Sequence, residues 1–291
     1  MTHKIPVKRA EDKDVYHVLR LKDGTEFLLT MYVSDISYII YIGGPESYCI
    51  QAQVNKRGTT FEKIPEFSPD VAYIHSVYYD SLCALNKPFQ KGKDTRDIFL
   101  LTLSLLHTMF RYVKYVRFTD KSMKECDNGA FMSLPLMHYL QDGHTWYQHR
   151  FGAVMSSEDK TKLDNAQQKL LNKKISWDLL DSMMRTELPI SKENMKRLFE
   201  SSSDIFDFFH KLYHTIKASK FCIFLSPWIE HFMNTYFGFD FQGVKYTISL
   251  NNPKLLPFLE FDILRYDPSH IYENNTRTCK RSRSRRRGMW L

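Results

Sequence analysis

The feature that most constrains the fold is a series of short strand-like runs within the first 54 residues. These runs are rich in β-branched and aromatic residues, and turn-forming residues separate them. The sequence Lys22-Asp23-Gly24-Thr25 joins the first two, and Asp-Gly is a strong signal for a tight hairpin. Gly43-Gly44-Pro45 joins the next two. The predicted strands are residues 15–21, 26–33, 37–42 and 48–54, which together make a four-stranded antiparallel meander.

A strand–helix–strand unit is predicted after the meander. Residues 71–80 form an apolar run typical of a central strand, and residues 115–119 indicate a shorter one. Between them, apolar residues recur at helical spacing over residues 95–112, and Asp94 or Thr95 can cap this helix. Two strands joined through a helix are expected to lie parallel or nearly so.

The remainder of the chain has helical periodicity. Helices are predicted at residues 132–141, 146–151, 158–174, 177–186, 192–201, 204–218 and 221–237, and late strands at 244–249 and 259–265. The predicted class is α+β, with a mixed, mostly antiparallel sheet, a βαβ unit, a helical C-terminal half and a disordered basic tail. The corresponding domains are residues 1–155, 156–275 and 276–291.

The order of elements in the first 152 residues resembles the GNAT family of N-acetyltransferases. The stretch from Gln90 to Thr95 stands where that family has a glycine-rich loop, and residues 146–152 (Trp-Tyr-Gln-His-Arg-Phe-Gly) are similar to the family's Tyr-x-x-x-Gly-Phe ending with its last pair inverted. The resemblance implies a fold in which the two central strands splay around the pantetheine arm of acetyl-CoA. The backbone amides of such a loop, at a helix N-terminus, hold the pyrophosphate.

The resemblance also implies a set of site residues. Tyr147 would be the general acid that protonates the CoA thiolate, and His75 and Asp80 on the central strand are candidates for removing a proton from the amine. The implied cofactor-binding residues are Gln90, Lys91, Gly92, Lys93 and Thr95. The chain departs from the family loop at Asp94, whose carboxylate would repel a pyrophosphate, although Lys91 and Lys93 can offset its charge.

A second resemblance is to uncharacterised proteins of large double-stranded DNA viruses. It rests on three short segments: Thr119-Asp120-Lys121-Ser122, Gly143-His144-Thr145-Trp146-Tyr147 and Pro227-Trp228-Ile229-Glu230. This resemblance implies a viral origin and brings no activity with it.

The C-terminal tail carries the excess positive charge of the chain. Seven of the 41 Lys and Arg residues are Arg277, Lys280, Arg281, Arg283, Arg285, Arg286 and Arg287. The rest of the chain is nearly neutral, with 34 basic and 33 acidic residues. Guanidinium groups bind phosphates bidentately and release counterions, so the tail predicts a polyanionic partner: DNA, RNA, or an anionic virion surface. A nuclear import receptor or a merely solubilising role remains an alternative.

Several other classes of protein are disfavoured by the sequence. Charged residues near the start argue against a secretory signal, and the longest apolar stretch, residues 98–110, is too short to span a bilayer. Five cysteines without C-x-x-C spacing favour neither a disulfide framework nor a zinc site, so Cys83 and Cys126 are interpreted as buried thiols. The expected location is intracellular, in the host cytoplasm or nucleus, or in the virion.

Histidines give no metal prediction. His210 and His214 lie four residues apart on a predicted helix, but the sequence places no third ligand near them. Two functions therefore remain: an acyl-CoA-binding protein that acetylates an unknown amine, or a non-enzymatic virion or nucleic-acid-associated protein with a GNAT-like scaffold and a basic tail.

Overall fold

A computed structural model of the chain describes residues 17–266, apart from residues 46, 60–67, 79, 91, 127–128, 130, 174, 185–189, 217–221 and 223–227. The chain forms two compact units: residues 1–114 with 257–291, and residues 115–256. Both combine strands and helices, and nine strands are in mostly antiparallel sheet structure. The α+β class predicted from the sequence is therefore confirmed.

The elements follow one another in a simple order. The strands are β1 (His17–Leu21), β2 (Glu26–Val33), β3 (Ser37–Gly43), β4 (Tyr48–Asn55), β5 (Val71–Val77), β6 (Tyr115–Asp120), β7 (Met123–Glu125), β8 (Phe131–Ser133), β9 (Val154–Met155), β10 (Val244–Ser249) and β11 (Phe261–Arg265). The helices are α1 (Lys93–Met109), α2 (Leu134–Asp142), α3 (Trp146–Phe151), α4 (Ser157–Leu171), α5 (Trp177–Met183), α6 (Lys192–Glu200) and α7 (Ile205–Thr215).

The first unit is built on an antiparallel sheet with the strand order β11-β1-β2-β3-β4-β5. The predicted meander is confirmed, since β1 to β4 pair in sequence through short turns. At the Asp-Gly turn the amide of Leu21 donates to the carbonyl of Thr25 at 2.8 Å, which closes the hairpin. The late strand β11 extends this sheet by pairing with β1.

Helix α1 covers one face of that sheet. Ile98, Leu101 and Leu105 on the helix are fully buried, as the helical spacing predicts. The ring of Tyr38 on β3 lies 5.2 Å from that of Phe110, just after the helix. Because side chains alternate along a strand, residues next to Tyr38 on β3 face away from α1.

The second unit combines a small sheet with the helices of the C-terminal half. Strand β10 pairs antiparallel with both β6 and β9, and β7 pairs with β8. The long helices begin at capping side chains: the hydroxyls of Ser156 and Ser191 and the carboxylate of Asp204 accept hydrogen bonds from first-turn amides. Phe208 and Phe209 on α7 are fully buried.

Several boundaries differ from the predictions for local reasons. Strand β5 ends at Val77 instead of residue 80, because Asp80 forms a turn in which its carboxylate accepts from the amide of Leu82 at 2.9 Å. In the predicted helix 221–237, residues 228–232 are α-helical and continue into a π-helix at Met233–Phe237, while residues 221 and 223–227 lie outside the described residues. The short strands β7, β8 and β9 were not predicted.

Three predictions have no test in this structure. The parallel relation of β5 and β6 concerns the placement of the two units, and the domain boundary near Ser156 is likewise still a prediction. The basic tail lies outside the described residues. Among the helices of the described ranges, none has the length and apolar character needed to cross a membrane.

Candidate functional site

The turn before α1 is the predicted phosphate-binding loop. Gly92 has a φ of 90°, a left-handed conformation that favours glycine. The amide of Asp94 donates to the carbonyl of Gln90 at 3.0 Å, and the amide of Arg96 donates to that of Gly92 at 3.1 Å. The glycine predicted from sequence therefore does mark the point where the chain turns into the helix.

The carboxylate of Asp94 occupies this turn. Its side chain is buried, with only 2% of the residue exposed. One oxygen accepts from the backbone amide of Gln90 at 2.7 Å, and the other lies 3.4 Å from the ammonium of Lys87. The resemblance assigns the backbone amide of Gln90 to the pyrophosphate, but this amide already donates a hydrogen bond to the Asp94 carboxylate. These residues do not fit the pyrophosphate of acetyl-CoA in this arrangement.

The other predicted cofactor-binding residues are placed around Asp94. Gln90 and Lys93 are exposed, and Thr95 is partly buried. Lys91 lies outside the described residues. The hydroxyl oxygen of Thr95 is buried and has no hydrogen-bond partner within the described ranges. The turn therefore presents one exposed lysine, Lys93, beside a buried carboxylate that is already paired.

His75 and Asp80 lie in the first unit, near the end of β5. The Nε2 atom of His75 is 3.0 Å from the side-chain oxygen of Gln53 on β4. Asp80 accepts from the hydroxyl of Ser47 at 3.1 Å as well as from the amide of Leu82. Each side chain thus has its own partner, and the structure accounts for Asp80 as the anchor of a turn.

Tyr147 lies in the second unit, on helix α3, whereas the other two predicted catalytic residues belong to the first unit. It is 8% exposed and packs against the ring of Phe118, with centroids 4.6 Å apart, and against Tyr246 at 5.9 Å. Burial raises the pKa of Tyr147 well above its ordinary value, and the nearby Asp120 carboxylate adds to the rise. The phenol therefore stays protonated at neutral pH, which is the form a general acid needs, but it is held in a core.

Asp120 is a buried carboxylate at the end of β6. Its Oδ1 atom accepts from the amide of Ser122 at 2.9 Å and from its hydroxyl at 2.6 Å. Burial raises the pKa of Asp120, while the two hydrogen bonds oppose that rise. Nearby, the hydroxyl of Tyr246 donates to that of Thr145 at 2.9 Å. Sequence reasoning did not single out Asp120, because only tertiary packing brings it to these tyrosines.

The cysteine interpretation was wrong. Cys49 bonds to Cys83 within the first unit, and Cys126 bonds to Cys222 within the second, with Cα atoms 5.8 and 5.5 Å apart. Cys83 and Cys126 are thus half-cystines and not thiols. The partners are 34 and 96 residues apart in sequence, so no local spacing of cysteines predicts either disulfide.

A cleft of about 370 Å³ lies in the second unit between the end of α2 and helices α4 and α7. Two of its lining residues, Lys160 and Asp164, form an ion pair at 2.8 Å, and the ring of a third, His210, contacts the carbonyl oxygen of Gln141. The rings of His210 and His214 are 4.5 Å apart. Within the described ranges, no group of three or more His, Cys, Asp or Glu side chains is arranged to hold a metal ion.

Comparison with known proteins adds no assignment. No protein-family model, no curated protein and no solved structure matches the chain. Any function therefore has to be argued from the residues themselves. The predicted nucleic-acid-binding residues Arg277, Lys280, Arg281, Arg283, Arg285, Arg286 and Arg287 all lie outside the described residues.

Proposed function

We propose that the chain is a non-enzymatic polyanion-binding protein of a virion or of a nucleic-acid assembly. The α+β body serves as a scaffold, and the Arg-rich segment of residues 277–287 makes the contact. Seven basic residues fall within these 11 positions and no acidic one does, while the rest of the chain is close to neutral. Arginine is suited to this role because its planar fork binds phosphate oxygens in pairs.

One observation favours this function over acetyl transfer: the hydrogen bond from the Gln90 amide to the Asp94 carboxylate. An anion arriving at the N-terminus of α1 would have to displace a buried carboxylate that Lys87 also stabilises. It would also be repelled by the negative charge of Asp94. The loop chemistry therefore favours a scaffold over a CoA site.

The disulfides support a virion location for the mature protein. Such bonds persist in oxidising surroundings, which include virion surfaces, and are rare in a reducing cytosol. Both units carry one. This argument replaces the prediction from cysteine spacing, which favoured a reducing compartment.

The test of this proposal is salt-dependent binding to nucleic acid. We expect the full chain to bind labelled duplex DNA with an affinity that falls with salt on a log–log slope of roughly −6, if all seven basic residues contact phosphates. A chain ending at Asn275 should lose this binding. A variant with every tail Arg changed to Lys is the matched control, because it keeps the charge and should keep the slope. Equal affinity of the truncated and full-length chains would refute the proposal.

Acyl-CoA binding is the second candidate, and one observation favours it. Gly92 adopts a left-handed φ directly before an α-helix of 17 residues, after four antiparallel strands and β5. This is the local order that the GNAT resemblance requires. In this case Tyr147 would be the acid and the amine acceptor is unspecified.

A thermal shift with acetyl-CoA tests this second candidate. If the site binds, millimolar acetyl-CoA raises the melting temperature, Asp94→Asn enlarges the shift by removing the opposing charge, and Gly92→Glu abolishes it. Gly92→Ala is the control, since it shares the backbone strain of the Glu variant without its charge. The absence of any shift in both the wild type and Asp94→Asn would eliminate this candidate.

A further inference from the structure

Four tyrosines of the first unit form a row that crosses strands β2, β3 and β4 and ends at the residue after β5. The row runs Tyr32, Tyr41, Tyr48, Tyr78, with successive ring centroids 5.7, 4.7 and 6.2 Å apart. Each ring meets the next in an edge-to-face arrangement. Tyr32, Tyr48 and Tyr78 are 47%, 43% and 56% exposed. Large aromatic side chains that form one connected group are seldom this exposed on a protein surface. We call these four residues the tyrosine row.

The tyrosine row lies on the face of the sheet that α1 does not cover. Tyr38 points to Phe110 beside the helix, so Tyr41, three residues on, points to the opposite face. In the register of β2 and β3, Thr30 is opposite Tyr41 and Tyr32 is opposite Ile39, which puts Tyr32 on that same face. The row is therefore a surface feature of the sheet and not part of its core.

Polar side chains capable of hydrogen bonding accompany the row on this face. Gln51 and Gln53 are opposite Tyr41 and Ile39 in the register of β3 and β4. The side chain of Gln53 contacts His75. Amide and imidazole groups of this kind can both donate and accept hydrogen bonds at the edges of bases.

The outer end of the row is held in place covalently. Tyr48 precedes Cys49, whose disulfide to Cys83 joins β4 to the loop after β5. The amide of Tyr78 donates to the carbonyl of Cys49 at 2.7 Å. The backbone at Tyr48 and Tyr78 is thus fixed before any ligand arrives, which lowers the entropy cost of binding.

We propose that the tyrosine row binds single-stranded nucleic acid by stacking unpaired bases on its exposed rings. This inference rests on the proposed polyanion-binding function and names the substrate class within it. Aromatic side chains on a sheet surface are a suitable platform, since every base offers a π-face and stacking is tolerant of sequence. A duplex cannot use the row, because its bases are already stacked on one another.

The basic tail supplies the positive charge that the row lacks. Arg277 is 12 residues beyond Arg265, the last residue of β11, and an extended chain of that length spans up to about 40 Å. Strand β5 is five strand positions from β11, or about 24 Å at the usual strand spacing. Covalent geometry therefore permits the tail to bind the phosphates of a strand whose bases lie on the row.

The experiment compares single-stranded and duplex probes with the full-length protein. Fluorescence anisotropy is measured with labelled oligothymidylate, oligouridylate and a DNA duplex of equal length, at one salt concentration. We expect Tyr48→Ala to weaken binding of the single strands about fivefold or more and Tyr48→Ala/Tyr78→Ala about 30-fold. Duplex binding should not change. Tyr115→Ala is the matched control, because Tyr115 is 42% exposed in the second unit and should leave all three affinities unchanged.

The outcomes separate this inference from the function on which it rests. If the Tyr48 variants, with unchanged melting temperatures, bind single strands as tightly as the wild type, the tyrosine row is not the site, while the tail can still bind duplex. If they bind more tightly, the tail itself occupies the row and the inference is overturned. If truncation after Asn275 leaves duplex binding intact, the polyanion function of the tail fails instead. The ratio of the thymidylate and uridylate affinities distinguishes DNA from RNA as the natural strand.

Discussion

The tyrosine row of the first unit and the pair Tyr147 and Tyr246 of the second unit differ in their exposure to solvent. In the first, Tyr32, Tyr48 and Tyr78 are exposed on a sheet face, where Tyr48 meets Tyr78 edge to face and Tyr41 links Tyr32 to Tyr48. In the second, Tyr147 and Tyr246 are buried beside the carboxylate of Asp120. Tyrosine is suited to both the exposed and the buried environment, because its side chain has an apolar ring and a polar hydroxyl.

This difference has an electrostatic consequence. Burial raises the pKa of both Tyr147 and Tyr246, and the buried Asp120 adds to each rise. Ionisation of either phenol would place two negative charges in a region of low dielectric. Tyr147 and Tyr246 therefore stay neutral, whereas the exposed rings of the tyrosine row are available to a ligand.

The largest expected effects come from the disulfides, one in each unit. Chain-entropy arguments give a loss of roughly 4.7 kcal/mol of unfolding free energy for Cys126→Ser/Cys222→Ser and roughly 3.8 kcal/mol for Cys49→Ser/Cys83→Ser. The first is larger because 96 residues separate its cysteines, against 34 for the second. Urea unfolding of the oxidised proteins measures both.

Reduction provides the control for the disulfide variants. A reducing agent should lower the stability of the wild type, and each double variant should then lose only the contribution of its remaining bond. Unfolding curves of the wild type that do not respond to reduction would contradict the prediction.

A smaller effect is expected from removing one buried hydroxyl. Tyr246→Phe removes the 2.9 Å hydrogen bond to the fully buried hydroxyl of Thr145, which keeps its bond to Gln148 at 3.1 Å, and this should cost about 1 kcal/mol. Tyr48→Phe makes the same chemical change on the exposed tyrosine row and should alter stability by less than about 0.5 kcal/mol. Equal losses in thermal unfolding of the two variants would show that burial does not distinguish these tyrosines.

Local patterns predicted much of the fold. Strands β2 and β10 were predicted to the residue, because each is a run of strand-forming residues bounded by turn-forming ones. The predicted helix 132–141 corresponds to α2, which ends before Gly143, whose φ is 69°. Helix α1 begins two residues earlier than predicted, because Gly92 and not Asp94 is the residue before it.

The features that sequence reasoning missed depend on contacts between distant residues. Cys126 and Cys222 pair across 96 residues, and no spacing rule applies to them. The tyrosine row requires the register of four strands, and the sequence does not give that register. The sequence showed that the Asp94 carboxylate would repel a pyrophosphate. The hydrogen bond that this carboxylate accepts from the Gln90 amide depends on the fold of the turn and was not predicted. Interaction surfaces and sites were therefore less predictable than elements.

The smallest expected effect tests the electrostatics of the second unit. Asp120→Asn keeps an oxygen to accept both hydrogen bonds from Ser122 and removes the buried charge. Burial raises the folded-state pKa of Asp120 above its unfolded value of 3.8, so the folded wild type binds the proton more tightly. The stabilisation that comes from the protonated Asp120 is therefore lost as the pH rises from the unfolded pKa through the raised folded pKa. The Asp120→Asn variant has no such group and does not undergo this loss. The stability advantage of Asp120→Asn should grow with pH over that interval and then level off, as urea unfolding at a series of pH values would measure. Asp120→Ala is the control: it also removes the oxygen that accepts from Ser122 and should destabilise the protein at every pH. If Asp120→Asn is less stable than the wild type at neutral pH, the prediction is wrong and the charge of Asp120 is itself stabilising.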